Sequence, residues 1–372
     1  MTVKEVKSRR DLRKFITFPE TVFKDNPYWV PALIGDEFDT LDPSKNAAFE
    51  FCEARYWLAV SDEGKVVGRV AGIINHESNK RWGKKDVRFG WIDFINDIEV
   101  VKALISAVKE WGRSKGMEHI VGPWGFTDMD KEGLLVEGFD KLSPFTCIYN
   151  HPYYGELLEK VGFVKDVDWT QRLVEIPSEL PPMFQYAELV EKRYGIHVVK
   201  TKSVKELADK YGMDLFHMYN ETFAPLYEFS PLTDTQIRRY LKTYIPIMDL
   251  DFICVLADKD EKLIGFCFCV PTLSKAVKKS GGRLFPFGLF RILKALKVND
   301  TLEALMIGIL PEYQGKGASV LLFKYIHENC IRRGIKHMLA NPQLETNYKV
   351  QSLWGEYETS IYQRRRAYVQ DL

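Results

Sequence analysis

A chain of 372 residues with 46% hydrophobic and 28% charged side chains can build two sizeable cores, which excludes a single small module and global disorder. The 52 Lys and Arg against 51 Asp and Glu leave a formal charge of +1, so no whole-chain field drives non-specific nucleic-acid binding and any basic site is local. The opening MTVKEVKSRRDLRKF interleaves charges where a signal peptide has an apolar run, and no stretch reaches the roughly 20 apolar residues of a membrane span; the expected location is the cytoplasm.

In chain order, YWLAVSDEGKVVGRVAGI (56–73) reads as two β-rich runs around an acidic turn, a hairpin. VVKALISAVKEWGRSKGMEHIVGP (100–123) has apolar residues at 101, 104, 105 and 108, a helical spacing, then Gly116 and a strand. The loop over 122–163 is punctuated by Gly125, Gly133, Gly138, Pro144 and Pro152. Such ordered loops carry function often, and Glu137, Asp140, Asn150 and Tyr153 are candidates to line an acceptor pocket; the competing role is a cap on the domain interface. The Pro-rich IPSELPPMF (176–184) reads as the linker.

The second half repeats this order. FICVLADKDEKLIGFCFCV (252–270) matches the first hairpin, with Lys65 and Gly68 standing 197 residues before Lys262 and Gly265. SVLLFKYIHENCIRRGIKHMLANP (319–342) matches the helix and strand, with Gly116 and His119 standing 218 before Gly334 and His337. A looser match sets YYGELLEKVGF (153–163) beside LWGEYETSIY (353–362). The expected fold is therefore α/β (α+β), with two copies at about 1–178 and 179–372, each a mixed, mostly antiparallel twisted sheet flanked by helices. The six cysteines are scattered, and Cys267 and Cys269 alternate with Phe266 and Phe268 in a strand-like run; they are expected to be reduced, mostly buried and not to hold a metal. His327 and His337 are expected to pack.

Between the second hairpin and its helix, 274–297 carries seven Lys or Arg and no acid. Leu289, Ile292, Leu293 and Leu296 alternate there with Arg291, Lys294 and Lys297 as in a basic amphipathic helix. Three readings stand open: a helix packed on its own sheet, a membrane-surface or acyl-chain contact, and a dock for an acidic carrier protein.

The strand-like LEALMIGIL (302–310), the turn PEYQGKGAS (311–319) and the helix after it are the recipe for a phosphate cradle. Gly315 and Gly317 free successive N–H groups, the helix N-terminus adds its dipole, and Lys316 and Gln314 reinforce both. The spacing of neither a P-loop nor a dinucleotide fold is present. The arrangement resembles motif A of the GNAT acetyltransferase superfamily: Arg or Gln, two residues, Gly, one residue, then Gly or Ala. Gln314 and Gly317 match, as does the preceding Pro-Glu-Tyr, while Ser319 departs from the final position. The resemblance implies that Gln314, Gly315, Lys316, Gly317, Ala318 and Ser319 hold the pyrophosphate of acetyl-CoA or another acyl-CoA. It also implies that strand backbone around Ile307 and Ile309 meets the pantetheine arm.

The same resemblance implies a strand carboxylate as base, here Glu303. Downstream, Asn347 and Val350 are similar to motif B, but Trp354 stands where a tyrosine is usual, so Tyr357 or Tyr348 is left to act as acid. Carrying the 218 offset back places Asn96, Asp97, Ile98 and Glu99 over Gln314 to Gly317, which marks the first domain as a degenerate copy. Arg364, Arg365 and Arg366 close the chain on a strand, or meet the adenosine phosphates. Taken with KFITFPETVFKDNPYWVPAL (14–33) and the 122–163 loop, nearly the whole chain resembles a bacterial family of GNAT-like proteins. The implied activity is N-acyl, most simply N-acetyl, transfer to a small-molecule amine, with no specific nucleic acid. The alternatives are a long-chain acyl or aminoacyl transferase of the tandem type, or a non-catalytic CoA sensor.

Overall fold

A computed structural model describes all 372 residues. The strands are β1 (Thr2–Glu5), β2 (Cys52–Val60), β3 (Val66–Asn75), β4 (Asp86–Phe94), β5 (His119–Gly122), β6 (Leu134–Glu137) and β7 (Val164–Glu175). They continue as β8 (His197–Val198), β9 (Ile253–Ala257), β10 (Leu263–Pro271), β11 (Thr301–Ile309), β12 (His337–Leu339), β13 (Gln343–Leu344) and β14 (Thr359–Asp371). The chain forms two compact units. The first comprises Met1–Thr170, Leu273–Arg291 and Gln363–Leu372, and the second Gln171–Thr272 and Ile292–Tyr362. No helix is long and apolar enough to cross a membrane.

In the first unit β1, β2, β3 and β4 pair antiparallel in sequence, and β4 pairs parallel with β5. Residues Tyr368–Asp371 of β14 then pair antiparallel with β5. That pairing is why the last ten residues belong here, although local patterning alone assigns them to the second half. The helix Ile98–Ser114 buries Val100, Val101, Leu104, Ile105, Val108 and Trp111 against β3 and β4. A separate cluster around Phe15, Tyr56, Leu58, Ile73 and Phe126 fills the unit further.

The second unit repeats the plan. β9, β10 and β11 are antiparallel neighbours and β11 pairs parallel with β12. Both hairpins close alike, with Ser61 N donating to Lys65 O at 2.8 Å and Asp258 N to Lys262 O at 3.0 Å. The repeat glycines hold equivalent places, since Gly68 pairs with Phe94 and Gly265 with Ile309, in each case the last residue of the inner strand. The core forms around Leu256, Ile264, Leu302, Leu322 and Ile326, with the helix Ala318–Arg333 at its centre. All six cysteines are free and buried.

Candidate active site

The glycine turn is held in place by the hairpin that precedes it in the sheet. Tyr313 donates its hydroxyl to Asp258 Oδ2 at 2.8 Å, and Lys262 Nζ reaches Glu312 Oε1 at 3.1 Å, so the β9–β10 hairpin clamps the Pro311–Tyr313 segment. Gly315 and Gly317 have φ of +75° and +82°, values that turn the chain sharply and that side chains rarely adopt. The helix Ala318–Arg333 begins at Gly317 with no side-chain cap. Lys316 N and Val320 N donate within the turn, but the amides of Gly315, Gly317, Ala318 and Ser319 donate to no protein acceptor. Four unbonded N–H groups at the positive end of a 16-residue helix are the chemistry of a candidate anion cradle. A Cβ on Gly317 would lie 2.7 Å from Val190 Cγ2, whereas one on Gly315 meets nothing within 4 Å.

Around this turn the predicted residues divide. Lys316 lies with its ammonium 5.0 Å from the Tyr313 ring centroid and is exposed at the cradle mouth. Gln314 folds back: its amide donates to Ile309 O at 3.1 Å and its carbonyl faces Lys349 Nζ at 3.4 Å, so the side chain braces the turn. The Ile309 carbonyl is thus already occupied. Ile307 and Ile309 are partly buried against the second-unit core.

β11 is paired with β12 only at Thr301, Leu302 and Glu303, while β10 follows it to Ile309. Beyond Glu303 the β12-facing edge of β11 is therefore free of strand partners, and a bulge opposite Phe268 and Cys269 bends the strand there. Glu303 stands where the two parallel strands part. It is 2% exposed and its Oε1 accepts from the Thr272 hydroxyl at 2.5 Å.

Asn347 and Tyr357 are not brought to the cradle as reacting groups. Asn347 caps the four-residue helix Tyr348–Gln351, its Oδ1 accepting from Val350 N at 3.3 Å. Tyr357 is buried among Phe323, Trp354 and His327, with its hydroxyl 3.3 Å from His327 Nδ1; burial pushes its phenol well above the ordinary range. The tyrosine accessible beside the cradle is Tyr348, 73% exposed and next to the Lys349 that meets Gln314. His327 packs as expected: its Nε2 lies 3.0 Å from Pro177 O, and burial holds its imidazole below the usual value.

The equivalent place in the first unit is closed, and for a different reason than substitution of glycines by acids. Only Ile95–Asp97, three residues, join β4 to its helix, where Leu310–Gly317, eight residues, join β11 to its own. The turn is missing altogether. Asp97 caps the helix, accepting from Glu99 N at 2.9 Å. The end of β4 is sealed from the side: Tyr154 Oη accepts from Phe94 N at 3.2 Å and Tyr153 Oη donates to Phe94 O at 2.8 Å. Tyr154 also meets Asp93 Oδ1, whose partner oxygen is held by Arg69 in a buried ion pair at 2.7 Å.

The four residues proposed for an acceptor pocket in the 122–163 loop do not converge. Asn150 is a buried staple that bonds both backbone groups of Leu135, Tyr153 is the strand seal just described, Glu137 pairs with Arg364, and exposed Asp140 pairs with Lys141. The C-terminal arginines are likewise engaged, Arg365 with the Ile148 carbonyl and Gln363, and Arg366 with Asp168 at 2.8 Å. Sequence reasoning missed three other carboxylates. Glu228, 3% exposed at φ +60°, sits between the helices Val204–Phe223 and Asp234–Tyr244; its signal was an acid inside the proline-flanked PLYEFSP. Asp130 and Glu132 sit in the acid-alternating DMDKE of the long loop, where burial pushes their carboxyls up to about 6 and about 8.

A duplicated mixed sheet whose inner parallel strands part beside a glycine turn and a helix N-terminus is the architecture of a tandem GNAT protein, and the chain has that fold. Over 100% of this chain and 98% of the other, it superposes at a TM-score of 0.56 and 12% identity on a tandem GNAT protein from the clavulanic acid biosynthesis pathway. In sequence it is 28% identical over 374 residues to protein YghO of Escherichia coli, covering 97% of this chain and 93% of that one. It is 26% identical over 318 residues to the bacterial ceramide synthase of Caulobacter vibrioides, covering 84% and 82%. No family model matches the chain.

Proposed function

We propose that the protein is an acyl-CoA-dependent N-acyltransferase, that the second unit holds the acyl-CoA, and that the acceptor is a long-chain amine. The observation that carries the first two points is the set of four unbonded amides at the Gly315–Gly317 turn beside the free edge of β11. The residues fit the group: a pyrophosphate takes the amides and Lys316, and the open edge between Ala304 and Ile309 offers backbone to an extended arm. When bound, acyl-CoA supplies the activated acyl carbonyl. The amine nitrogen forms the C–N bond, the C–S bond breaks, the amine gives up a proton and the thiolate takes one. Glu303, at the fork of β11 and β12 and held by Thr272, is the proposed proton acceptor, and accessible Tyr348 the proposed donor.

The third point rests on the Caulobacter relative, whose name describes amide formation on a long-chain base. Thiol release by the purified chain, measured with acyl-CoAs of increasing length against a sphingoid base, a polyamine, an amino acid and an aminoglycoside, tests it. Turnover with the long-chain base and a long acyl-CoA is the expected result. Turnover confined to acetyl-CoA and a water-soluble amine replaces the acceptor assignment, and tight CoA binding without turnover on any acceptor replaces catalysis with sensing.

A further inference from the structure

Seven of the exposed large apolar side chains fall between Leu284 and Val298, among them Phe285 at 79%, Phe290 at 70% and Phe287 at 65% exposed. The helix Gly288–Lys297 is buried at Gly288 and Ile292 and exposed at Leu289, Phe290, Leu293, Lys294 and Lys297. At 100° per residue the first pair lies on one side and the other five on the opposite side. One face of the helix is thus buried at Gly288 and Ile292, and an apolar and basic face is left outward. Solvated helix faces are rarely apolar, and a patch of this kind marks an interaction site.

The tip before the helix is anchored at its base. Ile34 N donates to Gly282 O at 3.0 Å, Arg283 pairs with Glu20 at 2.8 Å, and a Cβ on Gly282 would lie 2.1 Å from Ala32 O. Charge adds a second, independent observation. Residues 274–298 contain seven Lys or Arg and no acid. Lys278, Arg283 and Arg291 bond within the protein, while Lys275, Lys279, Lys294 and Lys297 form no ion pair.

We infer that 283–298 is a docking surface for an anionic lipid bilayer, with Phe285, Phe287, Phe290 and Leu293 entering the interface and Lys294 and Lys297 meeting headgroup phosphates. An acidic carrier protein answers the lysines but leaves the phenylalanines of the tip in water. An anionic bilayer answers both at once, taking aromatic and aliphatic side chains to the headgroup boundary and cations to the phosphates. This inference stands apart from the proposed acyl transfer, because docking is read with no substrate present.

Co-sedimentation of the full chain with vesicles of phosphatidylcholine alone, or mixed with phosphatidylglycerol, tests it. Binding is expected with phosphatidylglycerol and is expected to weaken as salt is raised. Lys294→Gln with Lys297→Gln lowers partitioning about 25-fold at low salt, at about fivefold per charge. Phe285→Ser with Phe287→Ser and Phe290→Ser lowers it at least about tenfold at any salt. All five positions are exposed, so the thermal midpoint of each variant stays at the wild-type value. Equal binding by these variants overturns the inference, as does failure of the parent chain to bind phosphatidylglycerol vesicles. A complex with an acidic carrier protein that blocks vesicle binding, or a dimer abolished by the phenylalanine substitutions, overturns it too.

Discussion

Gly317→Ala separates the two demands placed on the cradle. The first is conformational: at φ +82° an alanine costs about 1 to 2 kcal/mol relative to glycine. The second is steric, because the new Cβ would stand 2.7 Å from Val190 Cγ2, and relieving such a contact in a packed core costs about 1 to 3 kcal/mol. Together they ask for about 2 to 5 kcal/mol, a loss of about 30-fold or more in CoA affinity if the turn rearranges to avoid them. Val190→Ala removes the clashing branch, so the double variant recovers the steric share and keeps the conformational one. Gly315→Ala, at φ +75° with no neighbour within 4 Å, pays the conformational share alone. Titration calorimetry with CoA is expected to rank affinity as wild type, then Gly315→Ala and the double variant together, then Gly317→Ala. Unchanged affinity in Gly317→Ala would falsify the cradle assignment, and absence of rescue by Val190→Ala would refute the steric reasoning.

Glu303→Gln should lower the rate of the acyl-transfer step by about 100-fold or more while leaving CoA affinity within a factor of two or so, as read by single-turnover kinetics beside calorimetry. Asp97→Ala removes a helix cap in the first unit, so about 1 kcal/mol of stability is lost in denaturant titration and CoA binding is untouched. Asp93→Asn leaves Arg69 buried without its counter-charge; urea unfolding should report about 3 to 5 kcal/mol lost, where an exposed pair such as Lys205 and Asp209 gives less than about 1. Glu132 is half-buried, and burial pushes its carboxyl up to about 8 in the folded chain. The folded state therefore binds more protons than the unfolded one between the ordinary glutamate value and about 8, and stability falls as pH rises through that window. Glu132→Gln should flatten this fall, measured as the midpoint of unfolding across the same range; a slope equal to wild type would place the proton elsewhere.

Two hairpins, a shared helix-then-strand order and the nine residues PEYQGKGAS were legible because each is a local pattern: alternation, helical spacing and glycine at a turn all act within a few residues. That was enough for the duplicated fold and for the helix N-terminus at which four amides stand free. The sequence also carried the charge asymmetry of 274–297, though not which side of that helix faces out. What depends on pairing between distant residues was not legible. A fixed offset slid acids onto the glycines of the other copy, but the strand register shows the turn deleted and the strand end sealed by Tyr153 and Tyr154. Motif spacing put Tyr357 near the chemistry, and core packing against His327 took it away. The point at which β11 leaves β12, the burial of Glu303 with Thr272, and the return of the last ten residues to the first unit follow from backbone hydrogen bonds between segments far apart in the chain. Those bonds are chosen by which faces can be buried together, and only the tertiary structure decides that.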